Sequence, residues 1–355
     1  MIKRRLSREV KIGETVIGGN NPILVQSMCN TDTRDIESTI KQVDQLTKAG
    51  CEIIRVAVPD LEAAKALGSI KRRISLPLVA DIHFRYELAL EAINQGVDKI
   101  RINPGNIGNR DKIKKVVLSA KKKNIPIRIG VNSGSLEKDI LSKYNNQVTA
   151  QAMVDSALRH ISILEEFSFE DIVVSLKASD VERTIEAYSL LADKIKYPLH
   201  LGLTEAGPGQ AGIVASAIGM GFLLHQGIGD TIRVSLTGNP IKEIEIGWEI
   251  LKSLGLRKKG IRITSCPTCG RTEIDLISLV NEVQEKLKNV DKDIHLAIMG
   301  CVVNGPGEAR EADLALIGGK GNGLIMKRGK ILRRVKESDL LKEILIEVNR
   351  FDSQN

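Results

Sequence analysis

Between residues 23 and 236, short apolar runs alternate eight times with helix-period segments, and few folds accommodate that pattern. The runs are Ile23–Met28, Glu52–Val58, Leu78–Ile82, Lys99–Ile102, Ile127–Val131, Ile172–Leu176, Leu199–Leu203 and Ile232–Leu236. Each is nearly continuous, as expected of a parallel strand covered on its outer face. The segments after them carry apolar residues at helical spacing. Ile36, Ile40, Val43 and Leu46 precede a stop at Gly50, and Met153, Ala157, Ile161 and Leu164 share one face of the fifth. Asp60 reads as an N-cap and Ser179-Asp180-Val181-Glu182 as a capping box. Pro240 opens the eighth helix, which holds the only tryptophan, Trp248. Eight such units in roughly 235 residues predict an α/β fold, a TIM (β/α)8 barrel. A doubly wound sheet is the alternative, although eight strands each followed by a helix would be large for it. Ahead of the barrel, residues 8–21 read as a hairpin, with Val10, Ile12, Val16 and Ile17 around Gly13.

The texture changes at Gly255–Gly260, which sets expected domains of 1–255 and 256–355. The second part alternates strands (Ile261–Thr264, His295–Met299, Ala312–Ile317, Leu324–Lys327) with helices (Asp275–Leu287, Ser338–Val348), a smaller α+β domain. Its glycine-rich stretch Gly318–Gly323 lacks a strand before and a helix after, so it reads as a hairpin turn rather than a phosphate cradle. This domain also carries Cys266-Pro267-Thr268-Cys269 and, further on, Met299-Gly300-Cys301-Val302-Val303-Asn304-Gly305-Pro306-Gly307-Glu308. Three cysteines make a metal or iron–sulfur site that is one ligand short, because structural zinc and cubane clusters both want four. Cys29 and Cys51 lie more than two hundred residues upstream and read as small buried apolar residues. Spacing alone leaves the fourth ligand open, with His295 a candidate for a zinc site.

Lys and Arg outnumber Asp and Glu by 52 to 44, a net charge of +8, partly in runs such as Lys71-Arg72-Arg73, Lys121-Lys122-Lys123 and Arg257-Lys258-Lys259. Those runs sit at expected helix ends, where cations suit the helix dipole, and aromatic residues are scarce. Small anions or acidic proteins are therefore the expected partners, not nucleic acid. No run approaches the roughly 20 apolar residues of a membrane span, and no apolar segment follows Met1–Arg5 as in a secretory signal. Five cysteines in so long a chain are no disulfide framework, and the expected location is the reducing cytoplasm.

Barrel chemistry sits at the C-terminal ends of the strands, and here those ends are polar. They offer Arg55, Asp81-Ile82-His83, Arg101-Ile102-Asn103, Arg128 with Asn132, Lys177, His200 with Thr204-Glu205, and Arg233-Val234-Ser235. Converging cations cost several kcal/mol each to bury unless anions meet them. Asp81 and Glu205 neutralise only part, which leaves a site suited to a diphosphate. Thr237-Gly238-Asn239-Pro240 enters a helix N-terminus, the usual phosphate position of a barrel. Lys177 by itself also fits a Schiff-base nucleophile, and His83 and His200 fit either hydrogen-bonded barrel residues or catalytic ones.

Six stretches together resemble one family. They are Arg55-Val56-Ala57-Val58-Pro59, Arg101-Ile102-Asn103-Pro104-Gly105-Asn106, residues 128–136, Leu203-Thr204-Glu205-Ala206-Gly207, residues 265–271 and residues 300–308. The chain resembles the 4-hydroxy-3-methylbut-2-enyl diphosphate synthases of the non-mevalonate isoprenoid pathway, in their short bacterial layout, from about residue 5 to residue 345. The resemblance implies reductive ring opening and dehydroxylation of 2-C-methyl-D-erythritol 2,4-cyclodiphosphate, with two electrons delivered through one [4Fe–4S] cluster per subunit. It implies Cys266, Cys269, Cys301 and Glu308 as cluster ligands, which supplies the missing leg as a carboxylate. Glu205, Glu308 and Asn304 are the implied catalytic residues. The expected substrate-binding residues are Arg55, Asp81, Arg101, Asn103, Arg128, Asn132, Lys177, His200, Arg233 and Ser235. A flavodoxin or ferredoxin donor and a head-to-tail homodimer are implied too. Chain geometry agrees with the dimer: about six linker residues reach roughly 20 Å, less than a barrel of about 30 Å is tall. Two rivals remain at this level. One is a barrel lyase or pterin-type transferase with a structural zinc domain, the other an RNA-binding protein with a zinc knuckle.

Overall fold

The computed structural model describes residues 2–288, 290–303 and 305–351 and divides the chain into two units between Arg257 and Lys258. The break falls after 257 rather than 255 because Leu256 packs on the first core and Arg257 is tied to it. The Arg257 guanidinium donates to Ile23 O at 2.6 Å and Glu52 Oε1 at 2.9 Å, and lies 4.7 Å from the Trp248 ring.

The first unit begins with an antiparallel hairpin, β1 (Val10–Ile12) and β2 (Thr15–Ile17). Eight barrel strands follow: β3 (Leu24–Met28), β4 (Ile53–Ala57), β5 (Leu78–Asp81), β6 (Lys99–Ile102), β7 (Ile127–Asn132), β8 (Ile172–Lys177), β9 (His200–Leu201) and β10 (Thr231–Ile232). They pair in parallel in the order β8-β7-β6-β5-β4-β3-β10-β9, and a Val174–Leu199 bridge brings β8 to β9, so the barrel is nearly closed. Tyr188, on the helix Val181–Ala192, stitches this thin seam. Its hydroxyl accepts from Leu176 N at 3.0 Å and donates to the His200 carbonyl.

Alternation along the strands sorts their side chains. Ile54, Val56, Ile100, Ile102, Ile127, Ile129, Ile172 and Val174 face outward into the helix-covered core. On the inner face Leu24, Ile53, Val79 and Val173, at the strands' N-terminal ends, pack against Val10, Ile12 and Ile17. The hairpin is thus an apolar plug at the bottom of the barrel, and polar groups occupy the inner face above it.

The helix signals are largely met. Gly50 caps Ile36–Ala49 in the left-handed region at φ 99°, Asp60 accepts from Ala63 N at 2.9 Å, and Asn239-Pro240 opens Pro240–Ser253. The capping box is displaced by one residue: Asp180, not Ser179, is the N-cap and accepts from Arg183 N at 2.8 Å. A carboxylate already placed at the N3 donor leaves the serine outside the helix.

The second unit is a five-stranded sheet in the order β11 (Ile261–Ser265), β12 (Ile294–Met299), β13 (Leu314–Gly319), β14 (Asn322–Lys327) and β15 (Lys330–Lys336). The first three are parallel and the last two antiparallel. Helices Leu276–Leu287 and Leu340–Arg350 cover it through Val283, Leu287, Ile344 and Val348. The expected hairpin turn is Lys320-Gly321, with Gly321 at φ 71°. Strand β15 is absent from the sequence reading because Lys-Ile-Leu-Arg-Arg-Val-Lys is a largely exposed edge without apolar alternation. Among the described residues no helix is long and apolar enough to cross a membrane.

Candidate active site

The inner face of the barrel gathers six basic side chains: Arg55 from β4, Lys99 and Arg101 from β6, Arg128 from β7, Lys177 from β8, and Arg233 just past β10. Two buried carboxylates face them, Asp81 on β5 and Glu243 on the helix after β10. Strand register places Arg101 between Asp81 and Arg128, and Lys177 beside Asn132. Asp81 lies 3.2 Å from Arg101 Nη1, 3.7 Å from Arg55 Nε and 3.6 Å from His83 Nε2. Glu243 lies 3.5 Å from Arg233 Nη2 and accepts from Leu236 N at 2.9 Å.

Two glycines make room for this crowd. A Cβ at Gly130 would stand 2.3 Å from Arg101 Nε, and one at Gly202 would stand 2.8 Å from Lys177 Nζ. With no side chain in the way, Arg101 lies across β7 and donates to Gly130 O at 3.3 Å.

Burial and mutual repulsion weaken the cations. Burial first, then Arg55 and Arg101, pull Arg128 well below its ordinary value, and burial with Arg233 and Arg55 does the same to Lys177. Burial brings Arg55 down to about 10, against the pull of Asp81. For Asp81, burial works upward, but Arg55, His83 and Arg101 outweigh it and hold the carboxyl below its usual range. Arg101 Nε, Arg128 Nε and Nη1, and Arg233 Nε are buried without an acceptor. The site is short of acceptor oxygens, and a diphosphate brings those together with negative charge.

The other expected residues divide between mouth and interior. Asn103 is buried and accepts from Gly105 N at 3.1 Å, capping the short helix Pro104–Ile107. Asn132 and Ser235 are half-buried, and Glu205 is exposed after β9 at φ 53°. A left-handed glutamate is strained, and such strain gathers at functional loops. His200 lies fully buried inside the barrel, its Nδ1 2.8 Å from Thr231 Oγ1. The sequence reading missed Lys99 and Glu243. Lys99-Ile100-Arg101-Ile102 does alternate cation and apolar residue, a signal that puts Lys99 on the same inner face as Arg101.

In the second unit Cys266 directly follows β11 and Cys301 follows β12 by one glycine. The parallel register sets both at one end of the sheet, and Gly300 N donates to Cys266 Sγ at 3.3 Å. Cys269 is exposed, and its thiol is drawn below the ordinary value first by the backbone N–H of Arg271. Glu308 ends the short helix Gly305–Glu308, and Asn304 lies outside the described residues. Among the described residues no three His, Cys, Asp or Glu side chains converge to ligand geometry, so the fit to a cluster rests on loop placement, accessible sulfur and the N–H···S contact. His295 does not complete a zinc site with these cysteines. It stands near the other end of β12, about 13 Å from Met299 at strand rise, and both ring nitrogens are engaged by Thr264 and Glu311. Cys29 and Cys51 are buried, and burial pushes both thiols up to about 12.

Comparison with known proteins covers both units. Residues 7–248 match the GcpE TIM-barrel domain and residues 262–350 the GcpE protein C-terminal domain. The chain is 58% identical over 351 residues to a protein of Caldanaerobacter subterraneus subsp. tengcongensis named 4-hydroxy-3-methylbut-2-en-1-yl diphosphate synthase (flavodoxin), covering 99% of each. A Thermodesulfovibrio yellowstonii protein of the same name is 56% identical over 350 residues, covering 99% of this chain and 100% of its own. In fold alone, the chain is similar to dihydropteroate synthase of Stenotrophomonas maltophilia, with a TM-score of 0.50 at 12% identity over 70% of this chain and 99% of the other. Matched in both domains and along its whole length, the chain belongs to the GcpE family.

Proposed function

We infer that the chain is a 4-hydroxy-3-methylbut-2-en-1-yl diphosphate synthase, an oxidoreductase of the non-mevalonate isoprenoid pathway. It converts 2-C-methyl-D-erythritol 2,4-cyclodiphosphate to 4-hydroxy-3-methylbut-2-enyl diphosphate, opening the ring and releasing a hydroxyl as water. Beyond the family match, the observation that carries this reading is the inner-face cation cluster with its unpaired guanidinium donors. Arg55, Arg101, Arg128, Lys177 and Arg233 hold the two phosphoryl groups, and Asp81 and Glu243 keep Arg101 and Arg233 in place. Asn103, Asn132, His200 and Ser235 complete the walls. Glu205, exposed on its strained turn, is the mouth carboxylate that handles the proton, and family resemblance adds Asn304, outside the described residues, as a catalytic residue.

Cys266, Cys269, Cys301 and Glu308 would hold one [4Fe–4S] cluster per subunit. When bound, the cluster supplies the two electrons of the reduction. A carboxylate is a more exchangeable iron ligand than a thiolate, so Glu308 leaves the substrate an approach. The donor is flavodoxin, the carrier in the relatives' name, and free cysteines without a disulfide framework suit the reducing cytoplasm.

The family resemblance implies a head-to-tail homodimer, each cluster domain serving the partner's barrel. Arg257 is anchored beside Ile23 and Glu52, at the N-terminal ends of β3 and β4 and thus opposite the cation mouth. Mixing Cys301→Ala and Lys177→Ala subunits restores activity in this arrangement, and silent heterodimers would remove it. The cofactor is tested by iron and acid-labile sulfide after anaerobic purification. Stoichiometric zinc without sulfide would overturn the redox reading.

A further inference from the structure

Lys99 has no part in the chemistry above, yet it is the least expected residue of the barrel. It is fully buried on the inner face of β6, and its Nζ has no hydrogen-bond partner. Charged donors outnumber carboxylates around it. Arg101 follows it toward the mouth on its own strand, and Gln26 from β3, Arg55 from β4, Asp81 from β5, Arg128 from β7, Lys177 from β8, His200 from β9 and Arg233 from beyond β10 share the inner face with it. Gln26 Nε2 and Oε1, Arg128 Nε and Nη1, and His200 Nε2 are likewise buried and unpaired. The Asp81 carboxylate is engaged by Arg101 and Arg55. An ammonium buried among guanidinium donors, with no carboxylate paired to it, gets little in return for lost hydration. An amine there keeps a lone pair, which suits the unpaired N–H groups of Arg128.

We propose that Lys99 is the proton-linked positioning residue of the diphosphate site: neutral in the free barrel, it takes up one proton from solvent when the substrate dianion enters the cation cluster. The balance is simple, since the amine lone pair receives the proton and no bond of the substrate changes. The direction is physically reasonable because burial, then Arg128 and Arg55, disfavour the charged form in the free enzyme. Two phosphoryl charges among those arginines reverse the local sign. The linkage rests on the diphosphate reading of the site.

The test is calorimetric titration of the cyclodiphosphate into anaerobic holoenzyme, in two buffers of different ionisation enthalpy, for wild type and Lys99→Met. Lys99→Met should take up one proton fewer per site. Its affinity should lose up to a tenfold-per-pH-unit fall with rising pH that wild type shows. Lys177 titrates equally in both proteins and cancels in the difference. Unliganded Lys99→Met should also melt above wild type at pH 7, since a thioether chain replaces an unpaired buried amine. Lys99→Gln serves as a second variant in which the uptake must fall equally. Binding with unchanged proton uptake in both variants overturns the linkage alone. Failure of wild type to bind the cyclodiphosphate overturns the diphosphate reading and the linkage together.

Discussion

Adding one methyl group at Gly130 is the mildest change that should disable the substrate site. A Cβ there would stand 2.3 Å from Arg101 Nε, 2.7 Å from Nη2 and 2.8 Å from Cζ, where ordinary contact begins near 3.4 Å. The guanidinium must retreat by about 1 Å. That breaks its bond to Gly130 O, at 3.3 Å, and loosens its 3.2 Å pairing with Asp81. The displaced group is the far end of a flexible side chain, and alanine suits a strand better than glycine, so the fold should lose about 1 kcal/mol or less. Ligand binding loses a charge-assisted hydrogen bond worth about 1.5–3 kcal/mol, or roughly ten- to 150-fold. Gly130→Ala should therefore raise KM for the cyclodiphosphate by that factor, with Tm moved by only about 2–4 °C. The assay is anaerobic steady-state turnover beside a thermal melt, with Gly134→Ala, where a Cβ meets open space, as the control. An unchanged KM in a folded Gly130→Ala protein would refute the account of why β7 carries a glycine.

Other outcomes follow from the same geometry. Tyr188→Phe removes the hydroxyl shared by Leu176 N and the His200 carbonyl; leaving both unpaired at the β8–β9 seam should cost about 1–3 kcal/mol in denaturant unfolding of the first unit. Glu137 is half-buried; burial works against its charge, but His160 at 2.6 Å outweighs it and lowers the carboxyl from 4.5 to about 2. A depressed carboxyl contributes stability above its unfolded value, so this contribution is present above about pH 4.5 and lost as pH falls toward 2. Glu137→Gln should therefore unfold more easily than wild type at pH 6, with the gap closing by pH 2 in acid titration monitored by circular dichroism. Glu308→Gln should lower iron and sulfide content and slow turnover sharply, whereas Glu311→Gln should do little; equal effects would remove Glu308 from the ligand set.

How much of this was legible depended on whether a residue's role was local. Gly50, Asp60 and Pro240 act within one turn of their own helices, and the structure places them as the sequence predicts. The eight strands were legible because each buries an unbroken apolar face. Strands β9 and β10 pair over only two residues each, against five expected, because the chain turns away at Gly202 and Arg233 to line the mouth. The polar strand ends announced Arg55, Arg101, Arg128 and Lys177, since arginine and lysine are out of place in apolar runs. Lys99 was hidden at the bottom end of its strand, where a lysine normally reads as a solvated start. It is nonetheless fully buried, at the end of the barrel where the hairpin plug, made by residues far away in sequence, packs on the inner face. Glu243 was hidden for a related reason. It reads as a first-turn helix acid, and tertiary packing alone turns it toward Arg233. The fourth ligand proposed for the cysteine site, Glu308, could not come from spacing at all, since a glutamate among many carries no mark of its own.

The central claim is that electrons entering at the cysteine loops reach a cyclodiphosphate held by the barrel cations. Its most direct measurement is the amount of 4-hydroxy-3-methylbut-2-enyl diphosphate formed per two electrons in an anaerobic titration with reduced flavodoxin, for wild type and Cys301→Ala side by side. The account predicts one product molecule per two electrons in wild type and loss of turnover in Cys301→Ala. Equal product from both proteins, or none from a wild type carrying iron and sulfide, would contradict it.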